Sequence, residues 1–205
     1  MSRNIFLYGW MVLFFACTKA ENKITELLPS ELVAYVDDPI NRISQSKIMG
    51  EYKYEVKFCP TDYLIANELR TDHIDDKIYL ERKKDFENLQ YYKMRISLAN
   101  GGNSDVMYSN LVEQGDYFSR DSYLAFEFKN QIKLVQGDTL SCELYHFVNS
   151  HSVTPYADII MAFKKTKSSS GAQLEINDVV FGSGLMKFYF KKEDIENVPT
   201  IITEI

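Results

Sequence analysis

Cysteine is scarce in this chain, three residues in 205, and once Cys17 is set aside only Cys59 and Cys142 remain, enough for one disulfide at most. Positive charge is short as well. Twenty-three Lys and Arg face 29 Asp and Glu for a net charge of −6, which argues against a nucleic-acid surface, since that would need a basic patch. Long apolar runs are missing apart from residues 5–16, and twelve residues fall short of the roughly 20 that a helix needs to cross a ~30 Å hydrocarbon core. No internal repeat is present, and no Gly-x-Ser-x-Gly motif marks a nucleophile. What the chain has in excess is aromatic: fourteen Tyr and thirteen Phe, many in alternating runs, which favours strands.

The N-terminus has the layout of a secretory signal. Arg3 supplies a positive n-region, and Ile5–Ala16 has the length of an h-region. The run stops at Phe14-Phe15-Ala16-Cys17, ahead of the polar Thr18-Lys19-Ala20-Glu21. A small residue directly before a cysteine resembles a lipobox, although Phe14 and Phe15 depart from its usual Leu and small residue. The expectation is a signal peptide at 1–16, lipidation of Cys17 and a tether over 17–29. An ordinary secretory signal or an N-terminal anchor is the alternative. Cleavage would leave residues 17–205, 189 in number, and remove the one charge of Arg3, taking the net charge from −6 to −7. A diacylglyceryl group with an N-acyl chain would hold such a domain stably on a bilayer, at about 0.8 kcal/mol per buried CH₂.

Residues 30–205 read as one mainly β (α+β) domain, an antiparallel β-sandwich or open barrel with a short helical insert at about 61–89. Ser30 is placed to cap a brief helix over Glu31–Val36. Glu51–Phe58 alternates strictly, with Tyr52, Tyr54, Val56 and Phe58 on the apolar side and Cys59 continuing the polar one. In the insert, Leu64, Ile65 and Leu69, then Ile74, Ile78, Phe86 and Leu89, recur at roughly helical spacing. Tyr91–Leu98 restores the alternation. From Ser122 onward everything reads as strand: Leu124, Phe126 and Phe128 alternate, followed by Ile132–Val135, Thr139–Val148, Ala157–Phe163, Leu174–Ile176, Val179–Phe181 and Met186–Phe190. Ala157–Phe163 is apolar on both sides, as a central strand would be. The opposed phases of Cys59 and Cys142 argue for free thiols rather than a bridge.

Four stretches, Leu32-Val33-Ala34-Tyr35-Val36-Asp37-Asp38-Pro39, Tyr54-Glu55-Val56-Lys57-Phe58-Cys59-Pro60, Leu144-Tyr145-His146-Phe147 and Val180-Phe181-Gly182-Ser183-Gly184, resemble those of an uncharacterised lipoprotein family of Bacteroidota. The resemblance runs across most of the chain after Cys17. It implies a lipoprotein of the bacterial envelope, with palmitate-type acylation at the outer membrane, and nothing about a substrate.

Each chemical candidate has a plainer reading beside it. His146, His151 and Asp158 could bind zinc. His146, however, shares the expected inward phase of Leu144 and Val148, and His151 lies in a Ser/Asn-rich loop. Asp72-His73-Ile74-Asp75-Asp76 could hold a hard cation, but it lacks the glycine and spaced acids of a calcium loop and reads better as a helix start. Ser183 is flanked too tightly for a nucleophile elbow. Cys59 or Cys142 with His146 lacks a setting that would lower a thiol pKa. Glu127 and Glu143 could be the paired carboxylates of a glycoside hydrolase, or solvent-face acids. Tyr91, Tyr145, Phe147 and Tyr189 fall opposite their strands' main apolar faces. Uncovered, they would form an interaction surface; covered by the helical insert, they would be core. The expectation is a membrane-anchored envelope binding module with no metal, cofactor or nucleic acid, its partners the bilayer through Cys17 and an envelope protein. The alternatives are an envelope hydrolase with a dispersed site and a lipoprotein immunity factor against a toxin.

Overall fold

Alternation decides the largest elements of the computed structural model, which describes residues 24–167 and 170–204. In chain order these are β1 (Glu26–Leu27), α1 (Pro29–Asp37), β2 (Ser44–Met49), β3 (Tyr52–Cys59), α2 (Thr61–Leu69), α3 (Asp76–Phe86), β4 (Leu89–Leu98), α4 (Gln114–Phe126), β5 (Ile132–Gln136), β6 (Asp138–Ser141), β7 (Leu144–Val148), β8 (Ala157–Lys164), β9 (Ala172–Asp178), β10 (Gly184–Phe190), α5 (Lys192–Glu196) and β11 (Thr200–Ile201). A 3₁₀ turn at Val106–Tyr108 precedes α4, and another at Phe128–Gln131 follows it.

The strands form a five-stranded sheet ordered β2-β3-β4-β8-β7 and a four-stranded sheet ordered β10-β9-β5-β6, both antiparallel, while β1 and β11 pair in parallel. The fold is mainly β, and neither sheet closes on itself. One face of the larger sheet carries Tyr54, Val56, Tyr92, Met94, Ile159 and Met161, and the smaller sheet contributes Leu134, Leu174, Ile176, Phe188 and Phe190; all are buried in one core. Tyr92 joins the layers, with its ring 5.4 Å from Phe58, 5.9 Å from Phe163 and 5.4 Å from Phe190. At the open margin the Gln45 amide pairs with the backbone of Tyr189 in β10, so a side chain satisfies part of an exposed strand edge.

β8 is central, between β4 and β7, as its two-sided apolar pattern requires. The helical insert is present as α2 and α3 over residues 61–86, with Asp75 capping α3 through the amides of Lys77 and Ile78. Among the described residues, Cys59 and Cys142 are both free.

Several segments differ from the sequence reading. The stretch around Leu124 is the helix α4, not a strand. Tyr117, Leu124 and Phe128 are buried while Phe126 is 69% exposed, a pattern of period 3.6 rather than two. Glu113 and Asp116 cap its start reciprocally. Thr139–Val148 is two strands in different sheets, because the chain crosses between layers at Cys142-Glu143. Val179–Phe181 is a turn, held by the Asp178 carboxylate accepting from the amides of Val180 and Phe181. Ser30 lies inside the first turn of α1, where its hydroxyl donates to Asp72; the reciprocal cap uses Glu31 and the Leu28 amide, and Pro29 fills the first helical position. Cys59, expected on a polar side, is buried because α2 and its flanking loop cover that face. Part of the expected tether is folded, since β1 pairs with β11.

Candidate functional site

The expected chemical residues are dispersed or already engaged. Cys17 lies outside the described residues. His146 is exposed on β7, on the opposite side from the expectation, because the larger pair Tyr145 and Phe147 takes the inward phase. His151 sits in a left-handed turn with φ 47°. Asp158 is occupied by Arg95, at 2.8 and 2.9 Å, and by Lys93 at 2.8 Å. Among the described residues no three His, Cys, Asp or Glu side chains gather as metal ligands. In the 72–76 segment Asp72 accepts from Ser30, Asp75 caps α3, His73 pairs with Glu204 and Asp76 accepts from Thr203.

The nucleophile candidates fare no better geometrically. Burial pushes Cys59 up to about 12 and Cys142 up to about 11, so neither is a thiolate at neutral pH. The Ser183 hydroxyl lies 2.8 Å from the Tyr54 hydroxyl, which donates to Asp178 at 2.6 Å inside the sandwich. Glu127 ends α4 and Glu143 lies in the crossing between sheets, so they are not facing strand acids.

Three of the four expected surface aromatics are covered. Tyr91 is buried under α3, with its ring 5.6 Å from Phe86. Tyr145 donates to the Leu124 carbonyl at 2.5 Å beneath α4, and Phe147 packs against the core. Only Tyr189 stands out, 52% exposed. The expected surface therefore does not form.

A different aromatic cluster is exposed where α4 begins. Tyr108 stacks on Tyr117 at 4.5 Å, and Tyr117 meets Phe118 edge-on at 5.7 Å. Tyr108 is 54% and Phe118 66% exposed. Exposed Val112 lies just before the Glu113 cap of α4, and exposed Val153 lies on the 149–155 loop, which Ser152 ties to Asp105 and Asn149 ties to Tyr117.

Beside this cluster lies Arg120. Its guanidinium donates to the carbonyls of Met107 and Ser109, each at 2.9 Å, and sits 4.8 Å from the Phe181 ring centroid. Burial lowers its pKa, and among the described residues it forms no ion pair. A cavity of about 320 Å³ opens against it, lined by Asn110, Asp116, Ser119, Tyr123 and Val180 among others. Phe181 is in turn fixed by its amide bond to Asp178 and by a 4.8 Å ring contact with Tyr52. The arrangement is a cation held by backbone carbonyls, with no direct ion pair among the described residues and only the nearby charges of Asp116 and Asp178 opposing it, next to the exposed rings of Tyr108 and Phe118. Such a site can seat an acidic or polar group of a partner while the rings bury apolar area.

No family model, curated protein or solved structure matches the chain, so the resemblance to a Bacteroidota lipoprotein family rests on its short sequence marks alone.

Proposed function

We propose that this protein is a lipid-anchored envelope domain that binds a protein partner through the pole built from Tyr108, Tyr117, Phe118 and Arg120. The observation that carries the reading is that pole: Tyr108 and Phe118 stand exposed about the buried Tyr117, next to a half-buried Arg120 tied to the carbonyls on either side of Tyr108, and these are residue types that concentrate binding energy at interfaces. The direction of the anchor fits it. β1 and β11 lie at the Cys59 end of the large sheet, where Asp62 accepts from the Ile201 amide. The aromatic pole lies at the Tyr52 end, where Ser109 and Asn110 bond the Tyr52 hydroxyl. An eight-residue strand separates the two ends by roughly 25 Å, at about 3.4 Å per residue. A lipid on Cys17 would then hold the β1 end toward the bilayer and present the aromatic pole away from it. No helix among the described residues is long and apolar enough to cross a membrane.

The test is site-specific photo-crosslinking of the full-length protein in cells. A crosslinker at Phe118 should capture one protein, and capture should fall when Arg120→Gln is added. A crosslinker at Leu185, 58% exposed against 66% for Phe118 but on β10, should not capture it. Identical capture at both positions would refute the pole as the interface. For the anchor, Cys17→Ala should abolish lipid labelling and membrane retention, and globomycin should accumulate the precursor of the unsubstituted protein. Labelling that persists without Cys17 would overturn it.

A further inference from the structure

The outer face of the large sheet carries a second site, unrelated to the aromatic pole. Pairing in the antiparallel sheet sets side chains in rows across that face. One row runs Ser44, Lys57, Lys93, Ile160 and His146; the next runs Ser46, Glu55, Arg95, Asp158 and Val148. Lys57 and Lys93 are thus direct cross-strand partners. Like charges directly opposite one another destabilise a sheet, so the pairing itself opposes the fold and each lysine is held by a carboxylate of its own. The two ammonium groups take different partners: Lys57 reaches Asp37 and the Tyr63 hydroxyl, and Lys93 reaches Asp158.

The local charges do not balance. Three cations, Lys57, Lys93 and Arg95, contact two carboxylates, Asp37 and Asp158, while Glu55 is engaged by Lys53 at 3.1 Å. With Lys53 counted, four cations face three carboxylates, a net charge of +1 around a groove of about 380 Å³ that Glu55 also lines and whose walls come from α1, α2 and β2. Lys57 and Lys93 are shielded, with 22% and 34% of their side chains exposed. Arg95 is pinned by both Asp158 oxygens, and its guanidinium lies 3.4 Å from the Tyr156 ring centroid, so it contributes field rather than a free donor. Ser44 and Asn67 add neutral hydrogen-bonding groups at the walls. The volume falls at the small end of ligand sites, about 300–1,000 Å³.

We propose that this groove binds a small ligand through an oxyanion, a carboxylate or a phosphate, held between the ammonium groups of Lys57 and Lys93. The anion removes the like-charge repulsion, compensates the leftover charge and accepts charge-assisted hydrogen bonds from both lysines. Pro39 and Tyr63, which also line the groove, supply apolar contact to whatever carries the anion.

Lysine footprinting by reductive methylation and mass spectrometry tests this on the full-length protein in detergent. Inorganic phosphate and acetate are compared separately with chloride at equal ionic strength. Lys57 and Lys93 should be protected together, about tenfold at saturating anion, while exposed Lys129 and Lys133 keep their rates. Phosphate protection alone assigns a phosphate ester, acetate protection alone a carboxylate, and protection by both the shared oxyanion chemistry. Lys93→Met should abolish protection at Lys57, and Lys93→Arg, which keeps the charge, should retain it. The proposal is overturned if neither anion protects the pair more than the exposed lysines, or if Lys57 stays protected in Lys93→Met. Should Lys93→Met fail to fold, the unsubstituted protein and Lys93→Arg still decide: loss of Lys57 protection in Lys93→Arg also overturns it.

Discussion

Removing the Tyr54 hydroxyl should weaken the fold by about 2 kcal/mol, because a hydrogen bond to a charged group contributes about 1.5–3 kcal/mol. Tyr54 is fully buried and donates to Asp178 at 2.6 Å, and Asp178 is 1% exposed. Burial, then the facing Asp178 carboxylate, push the tyrosine well above its ordinary pKa, so it remains a neutral donor throughout the usable pH range. Asp178 also accepts from the amides of Val180, Phe181 and Ser183, at 2.9, 3.0 and 3.2 Å. Asp178→Ala therefore strips the acceptor from four donors. Those three amides belong to half-buried residues that water can partly serve, so the cost should be about 4 kcal/mol rather than the sum of four full penalties. Urea titration should show lower midpoints with an unchanged slope. Thermal midpoints should fall about 4–8 °C for Tyr54→Phe, at about 2–4 °C per kcal/mol for a domain of this size. The double variant should cost less than the two single changes together, by about 1–2 kcal/mol, because both remove the same bond. Asp178→Ala should also release Phe181 from Arg120 and weaken capture from the Phe118 crosslinker, while Tyr54→Phe leaves capture intact. A Tyr54→Phe protein within about 0.5 kcal/mol of the unsubstituted one would refute the reasoning, since that is the range of neutral surface changes.

Leu124→Ala should cost about 3 kcal/mol as a buried cavity, and Phe126→Ala almost nothing; equal losses in thermal melts would contradict the helical reading of α4. Both thiols should resist alkylation at pH 8 in the folded protein, where burial holds them near 12 and 11, and both should react in urea without reductant. Recovery of a Cys59–Cys142 linked peptide would refute this. The Glu204 hydrogen bond and charge raise the His73 pKa above its ordinary 6.5, so the contact contributes fully below that value and is lost as pH rises through the higher folded one. Amide exchange at Asp76 and Glu204, corrected for intrinsic rate, should therefore speed up across that rise. His73→Asn should flatten the response, and an unchanged pH profile would contradict it.

The sequence was most legible where one period stood alone. β3, β4 and β10 alternate a single apolar set against polar residues, and the buried side of each was readable without coordinates. It failed where two periods coincide. Leu124 and Phe128 are four apart, which places them together on either a strand or a helix, and Phe126 between them tipped the reading toward a strand. Tyr117, seven residues before Leu124, with polar Ser119, Asp121 and Ser122 between, was the signal that separates the two. That one misreading hid the proposed binding pole, since Phe118 and Arg120 acquire their positions only from the helix. In β7 both phases are apolar, and what decides is area: Tyr145 and Phe147 bury more than Leu144, His146 and Val148 can, so the aromatic side goes inward. The groove was out of reach for a different reason. Lys57 and Lys93 are 36 positions apart, and each alone is an ordinary solvent-face lysine of an alternating strand. Only the register that sets them opposite each other makes them a pair, and register is fixed by the turns and by the apolar residues of the other face. The core thus sets the geometry of a charged site to which it contributes no atom. Changes at Tyr54, Val56, Tyr92 or Met94 that shift the β3–β4 register by one residue would remove the site without touching either lysine.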